Sequence, residues 1–223
     1  MTDHDAELVR GLRELPTTVV SDVLGDLGYD AQVLSLALRP VISTQPSFCG
    51  PAFTVSGVVS PETGPDLRKS QAIDEMPAGA VAVWAGNGVE GVCMFGDLLA
   101  TGMLQRGVVG AVVDGGVRDS VTLAEIVFPV HARYVTPKAS TDHWRVQAVN
   151  EPVTLPGVLQ TSVETAPGDL VLADADGVVV IPAAVASTVL ARGSELEQRE
   201  GAIRDRVLAG ESLADVMRDV GRI

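Results

Sequence analysis

Two short stretches carry the residue types that handle a small anionic substrate: Gly96-Asp97-Leu98-Leu99-Ala100 and Asp114-Gly115-Gly116-Val117-Arg118-Asp119. Twenty residues separate Asp97 from Arg118, a D-x20-R-D pattern. A helix starting at Asp97 and a returning strand from Val108 would bring both ends of this unit to one sheet edge, where ligands of open α/β sheets collect. Two carboxylates suit a hard divalent cation such as Mg²⁺, which takes a few protein oxygens and keeps several waters. Arg118 offers a planar fork for a carboxylate. The Leu98 and Leu99 amides, at a helix N-terminus, add affinity for an anion. On spacing alone a plainer reading stands beside this one, with Asp97 as a helix cap and Arg118-Asp119 as a surface turn pair.

Other chemistries find less support. His4, His131 and His143 are scattered and no HExxH occurs, which disfavours a zinc site. Neither a GxSxG elbow nor a Walker A pattern is present. Cys49 and Cys93 form no CxxC pair and no disulfide framework. Asp174 and Asp176 resemble the start of a calcium loop, yet the twelfth-position glutamate is missing, so a tight turn is expected. Gly86-Asn87-Gly88-Val89-Glu90-Gly91 reads as GxGxxG after a strand-like run, with Asp114 ending the next strand where a ribose-binding acid would stand. This dinucleotide reading is an alternative with weak support, because Gly96-Asp97 interrupts the helix that should begin near Gly91. Schiff-base aldolase chemistry needs a lysine, and Lys69 and Lys138 both read as surface charges.

These residues must be positioned by an α/β framework. Short Val- and Ala-rich runs separated by glycine turns suggest buried strands at Phe53–Val59, Ala80–Ala85, Val108–Val113 and Val130–Val135. Helices are expected over Asp5–Leu15, from an N-cap at Thr17 or Thr18 through Leu27, and over Asp97–Arg106. Asp169–Pro182 reads as a hairpin turning at Asp176-Gly177. From Ala183 the chain turns helical and charged. Val189, Leu196, Ile203 and Val207 recur there at seven, seven and four residues, one apolar stripe flanked by Glu197, Glu200 and Arg204.

The 223 residues, 46% hydrophobic and 20% charged, are those of one globular domain spanning 1–223, with a helical tail over about 183–223. A net charge of −13 disfavours nucleic acid and anionic membrane as partners, and an anion would bind only where the few cations gather. The acidic, polar opening MTDHDAELVR shows no secretion signal, and no long uncharged apolar run occurs. A soluble, cytoplasmic protein is the expectation.

Several segments resemble the RraA-like proteins, which include the class II 4-hydroxy-4-methyl-2-oxoglutarate/4-carboxy-4-hydroxy-2-oxoadipate aldolases. The resemblance runs through Thr17–Gly28, Gly50–Val55, Gly96–Asp119, Phe128–Pro137 and Pro167–Pro182, with the central block the most specific. It implies an α/β/α sandwich of the swivelling β/α type, assembled as a homotrimer or homohexamer with sites between subunits. It also implies a Mg²⁺ or Mn²⁺ site with Asp119 as direct ligand and Asp97 acting through water. Arg118 would grip the pyruvyl end of an oxo-acid substrate, with Gly96, Leu98 and Leu99 as further substrate contacts. A glutamate from the neighbouring subunit's C-terminal helix completes such sites, for which Glu200 is the first choice and Glu197 the second. The implied activity is aldol cleavage to pyruvate with oxaloacetate decarboxylation. The same family includes non-catalytic regulators that bind RNase E or RNA helicases and lack the full acidic set, so Asp97 favours catalysis.

Overall fold

The computed structural model describes residues 3–221. The chain runs through α1 (Asp3–Arg13), α2 (Thr17–Asp26), β1 (Arg39–Pro40), β2 (Phe48–Val59), α3 (Leu67–Glu75), β3 (Val81–Ala85) and β4 (Cys93–Phe95). It continues with α4 (Asp97–Gln105), β5 (Gly110–Val117), α5 (Ser120–Glu125), β6 (Val130–Val135), β7 (Trp144–Val149), β8 (Val153–Leu155) and β9 (Val163–Thr165). The hairpin β10 (Leu170–Ala173) and β11 (Val178–Ile181) leads through a turn of 3-10 helix into α6 (Ala186–Leu208) and α7 (Leu213–Val220). Among the described residues no helix is long and apolar enough to cross a membrane.

The fold is α/β with a curled mixed sheet. Strands β2, β3, β5 and β6 are parallel neighbours, in the order β1-β6-β5-β3-β2-β10-β11, with β4 added to β5 and β7 to β2. All five residues of β3 are buried, as expected of a parallel strand covered on both faces. Ala82 and Trp84 face a core with residues of α3, α4 and α5, such as Ile73, Met103 and Leu123. Val81 and Val83 face the opposite core, shared with the hairpin residues Val171 and Val180. The hairpin's other side, Leu172 and Val179, meets Leu12, Val20 and Val189 of α1, α2 and α6. Full burial of one such valine contributes roughly 1.5–3 kcal/mol.

The expected helices and strands recur with shifted boundaries. β2 begins at Phe48 rather than Phe53, because Phe48–Pro51 pairs with β10. β5 runs on to Val117, so Asp114 lies within the strand. Gly115 and Gly116 allow this extension, since a Cβ on Gly116 would meet the Tyr134 ring and one on Gly115 would press on Met94. The α2 cap is Pro16, and the expected Thr17 is the first helical residue. Its amide and hydroxyl are held by Asp174 at 2.8 and 2.7 Å. Asp174 also accepts the Asp176 amide at 2.9 Å, which makes Asp174–Gly177 the tight turn expected there. The tail packs on its own chain: Val189 and Ile203 are buried, and α6 lies against α1 and α2. Its apolar stripe is therefore used within the subunit and gives no argument for a neighbour.

One buried network ties these layers. Gln45 Oε1 accepts the Val130 amide at 3.1 Å, so its Nε2 donates to His131 Nδ1, also at 3.1 Å. The other ring nitrogen of His131 must then carry the proton it donates to the Asp174 carbonyl, at 2.8 Å. Burial lowers the pKa of His131 from its ordinary value, with the Asp174 carbonyl and carboxylate opposing. A depressed histidine contributes stability that is complete above the unfolded pKa of about 6.5 and is lost as pH falls through the folded value. The urea midpoint should drop between pH 7.5 and 5.5, and the drop should shrink in His131→Gln, which takes up no proton; equal drops in both proteins would exclude this histidine as the cause.

Candidate functional site

The end of β5 and the start of α4 meet because β4 pairs alongside the last residues of β5, with Cys93 opposite Gly116 and Phe95 opposite Val117. Chain direction then delivers Gly96 and the first turn of α4 directly against Arg118 and Asp119. The Arg118 amide donates to the Phe95 carbonyl at 3.2 Å, which fixes the crossing. Contact is so close that a Cβ on residue 96 would collide with Asp119 Oδ2 and stand 2.8 Å from Arg118 Cγ. Asp119 has φ +59° and ψ 38°, a left-handed conformation that Asp tolerates better than most residues.

The structure thus brings together Gly96, Asp97, Leu98, Leu99, Arg118 and Asp119. Asp119 Oδ2 accepts the Asp97 amide at 3.2 Å and lies 3.3 Å from Arg118 Nε. Both side chains of that ion pair are more than a third exposed, so its worth for stability is at most about 1 kcal/mol. The Leu98 amide donates to Oδ1 of Asp97 at 2.8 Å, so it is engaged locally. Leu98 itself is exposed. Arg118 and Asp119 line an open cavity of about 410 Å³ together with Ser120, Val121, Val135 and Thr136. A more apolar cavity of about 360 Å³ beside α1, lined by Leu8, Val9, Pro51 and Leu170, has neither a cation nor a carboxylate pair for this chemistry.

Glu197 and Glu200 lie elsewhere. Glu200 lines a cavity of about 730 Å³ between α2 and α6 with Asp22, Asp26, Asp30, Arg192 and Glu195. Glu197 is 3.9 Å from Arg204 on its own helix. Within one chain neither reaches the Asp97–Asp119 cluster.

Among the described residues no group of three or more His, Cys, Asp and Glu side chains is placed to hold a metal ion, so at this edge one chain offers a cation the two carboxylates Asp97 and Asp119. That donor set fits a hydrated Mg²⁺ or Mn²⁺, which accepts one or two carboxylates and retains waters. Asp119 is exposed and lines the open cavity, so its carboxylate has space for a hydrated ion.

The weakly supported dinucleotide alternative falls, and one expectation from sequence, the surface reading of Lys69, is corrected. The GxGxxG loop leads into β4 rather than a helix, so it has no helix N-terminus for a pyrophosphate. Its Gly86 instead abuts the Asp114 backbone, and its carbonyl accepts Trp144 Nε1 at 3.1 Å. Asp114 is buried, which raises its pKa, while Arg133 at 3.7 Å works in the opposite direction. Lys69 is not a surface charge. It is 8% exposed, and its Nζ donates to the Met94 carbonyl at 2.8 Å and to Ser140 Oγ at 2.6 Å. The ammonium also lies 5.1 Å from the centre of the Trp144 ring. Burial pulls Lys69 down to about 8, with Asp66 and Cys93 raising it and Arg118 and Arg145 lowering it further. The missed signal is helical spacing, since Lys69 shares an i, i+3, i+4, i+7 stripe with Ala72, Ile73 and Met76, all buried. Lys138 is exposed, as expected.

With this geometry in view, the likeness to known proteins is specific. The sequence model of the Aldolase/RraA family, described as RraA-like, matches residues 17–180. The chain belongs to that family. A protein of Halalkalibacterium halodurans, provisionally named a 4-hydroxy-4-methyl-2-oxoglutarate aldolase, is 31% identical over 213 residues and 94% of each chain. A Thermus thermophilus protein named 4-hydroxy-4-methyl-2-oxoglutarate aldolase is 34% identical over 49% of this chain and 63% of its own. The solved structure of Streptomyces coelicolor RraAS2, described as an unusual member of the RNase ES inhibitor RraA family, superposes with a TM-score of 0.77. It is 30% identical and covers 90% of this chain and 96% of its own.

Gly96→Ala tests the contact on which the site is built. The added methyl should displace the Arg118 and Asp119 side chains in a crystal structure, while thermal unfolding shifts little because the pair is exposed. An unchanged Arg118–Asp119 arrangement would remove the steric requirement.

Proposed function

We propose that this chain is a divalent-cation-dependent aldolase that cleaves 4-hydroxy-2-oxo acids to pyruvate and a second oxo acid, and that it also decarboxylates oxaloacetate. The observation that carries the reading is the convergence of Asp97, Arg118 and Asp119 around Gly96. The relatives named as aldolases support it.

Asp119, with Asp97 through water, would hold Mg²⁺ or Mn²⁺. When bound, that cation supplies an electron sink for the 2-oxo acid. The guanidinium of Arg118 grips the C1 carboxylate through its planar fork and keeps the oxo acid in one orientation. The Leu99 amide in the first turn of α4 donates to the 2-oxo oxygen as negative charge grows there, and such a fixed donor lowers the barrier. Asp97 takes the C4 hydroxyl proton directly or through a water. The C3–C4 bond then breaks, its electron pair passes into the enolate of pyruvate, and the C4 fragment leaves as a carbonyl compound. A proton returned to C3 completes pyruvate. Decarboxylation of oxaloacetate generates the same enolate, with CO₂ as the departing fragment.

The likeness to Streptomyces RraAS2 supports a second reading, a regulator that binds an RNase E-type partner. Oxaloacetate separates the two. With Mg²⁺, purified protein should release pyruvate faster than the metal alone, and EDTA should remove the gain; no gain over Mg²⁺ favours the regulator. Asp119→Ala should lower kcat by about 100-fold or more, whereas Arg118→Lys should chiefly raise KM. Near-normal turnover by Asp119→Ala at limiting Mg²⁺ would exclude Asp119 as the ligand.

The active form is proposed to be a trimer or hexamer in which Glu200, or Glu197, enters the neighbouring subunit's site. In one chain Glu200 lies in a separate cavity from Arg118 and Asp119, so only a second copy would bring it there. Asp119→Ala and Glu200→Ala chains, each inactive alone, should regain part of the activity when refolded together. Verified mixed oligomers without recovery would refute the shared site.

A further inference from the structure

Lys69 carries a charge that the aldolase reading leaves unused. Its Nζ meets two neutral acceptors and an aromatic face, and among the described residues no carboxylate forms an ion pair with it. A buried ammonium without a counter-ion is costly, and an apolar side chain on that stripe would avoid the cost. Beside it lies a cavity of about 130 Å³, large enough for a carboxylate group and water, lined also by Ser140, Arg145 and Leu99. Asp66 and Asp142 border the same space, but Asp66 Oδ2 already receives the Val146 amide at 2.9 Å.

This cavity and the one at Arg118 and Asp119 share no lining residue, and the first turn of α4 links them, with the Asp97 amide on Asp119 and the Leu99 side chain lining the Lys69 cavity. Met94, whose carbonyl Lys69 holds, is two residues before Gly96. Arg118 is close enough to repel the Lys69 charge, and by reciprocity Lys69 attracts an anion held near Arg118.

We propose that the Lys69 cavity is a subsite for the second carboxylate of an oxo dicarboxylic acid, with the Lys69 ammonium as its counter-ion. The proposal rests on the oxo-acid reading: the C1 carboxylate sits on Arg118 and the far end of the substrate crosses Leu99 toward Lys69. The site therefore selects dicarboxylic over monocarboxylic oxo acids.

Lys69 and Lys138 are the only lysines in the chain, so Lys138→Arg leaves one lysine for ¹³Cε-lysine NMR. The probes, added with Mg²⁺, are 2-oxoglutarate, which has a second carboxylate but no 4-hydroxyl, and the monocarboxylate 2-oxobutyrate. 2-Oxoglutarate should move the Lys69 resonance and raise its proton affinity about tenfold, and 2-oxobutyrate should bind without doing so. Lys69→Met should weaken 2-oxoglutarate about tenfold and leave 2-oxobutyrate within about twofold. If both acids bind and the Lys69 resonance stays in place, the subsite is overturned while the oxo-acid reading stands. If neither acid binds, the oxo-acid reading falls and the subsite with it.

Discussion

The missing side chain at residue 96 is the constraint on which the site depends. Strand β4 adds to the end of β5, and the chain then turns into α4 with no room for a Cβ between its backbone and the Arg118–Asp119 pair. Because the approach is that close, a backbone amide, two carboxylates and a guanidinium occupy one sheet edge without any side chain reaching far. The left-handed backbone at Asp119 belongs to the same arrangement, since it lies in the short turn between β5 and α5. Supporting hydrogen bonds, Arg118 to Phe95 and Thr136 to Val117, come from the backbone and hold the edge on both sides.

Electrostatics give this edge its character. The chain has a net charge of −13, so an anion approaching at random meets repulsion. Arg118 and Lys69 both set positive charge near the first turn of α4, whose helix-end dipole has the same sign. Lys69 is the more expensive of the two because burial strips its hydration, and it is held by Met94 and Ser140 rather than by an acid. Arg145 nearby is engaged differently, donating to the Glu62, Thr63, Gly64 and Pro65 carbonyls and so pinning the loop that precedes α3.

Much of this was legible in the chain itself. The D-x20-R-D spacing placed Asp97 at a helix start and Arg118-Asp119 beyond a strand, and α4 begins at Asp97 as that reading requires. The DADG turn was also readable, because it rests on residues close in sequence. Lys69 was misread for an opposite reason: its charge argues for the surface, although the residue stands on an apolar stripe. In the GxGxxG loop three glycines at the right spacing specify backbone freedom and leave the next element open; Gly96-Asp97 already argued against a helix there, and that element is a strand.

Sequence alone therefore determined the local layer: periodicity, turn chemistry, the paired acids with their arginine, and the family to which those motifs belong. Tertiary structure alone decided what closes the ends of the elements. Thr17 is held by Asp174, which stands 157 residues away, and β2 reaches back to Phe48 because β10 pairs with it. The stripe of α6 turned inward onto α1 and α2, leaving Glu200 beside Asp22 and Asp26 rather than at the Asp97 edge. The physical reason is the same in each case. A hydrogen bond or apolar contact between distant residues forms only after the chain has folded back on itself, so residue spacing along the chain cannot specify which partner will satisfy it.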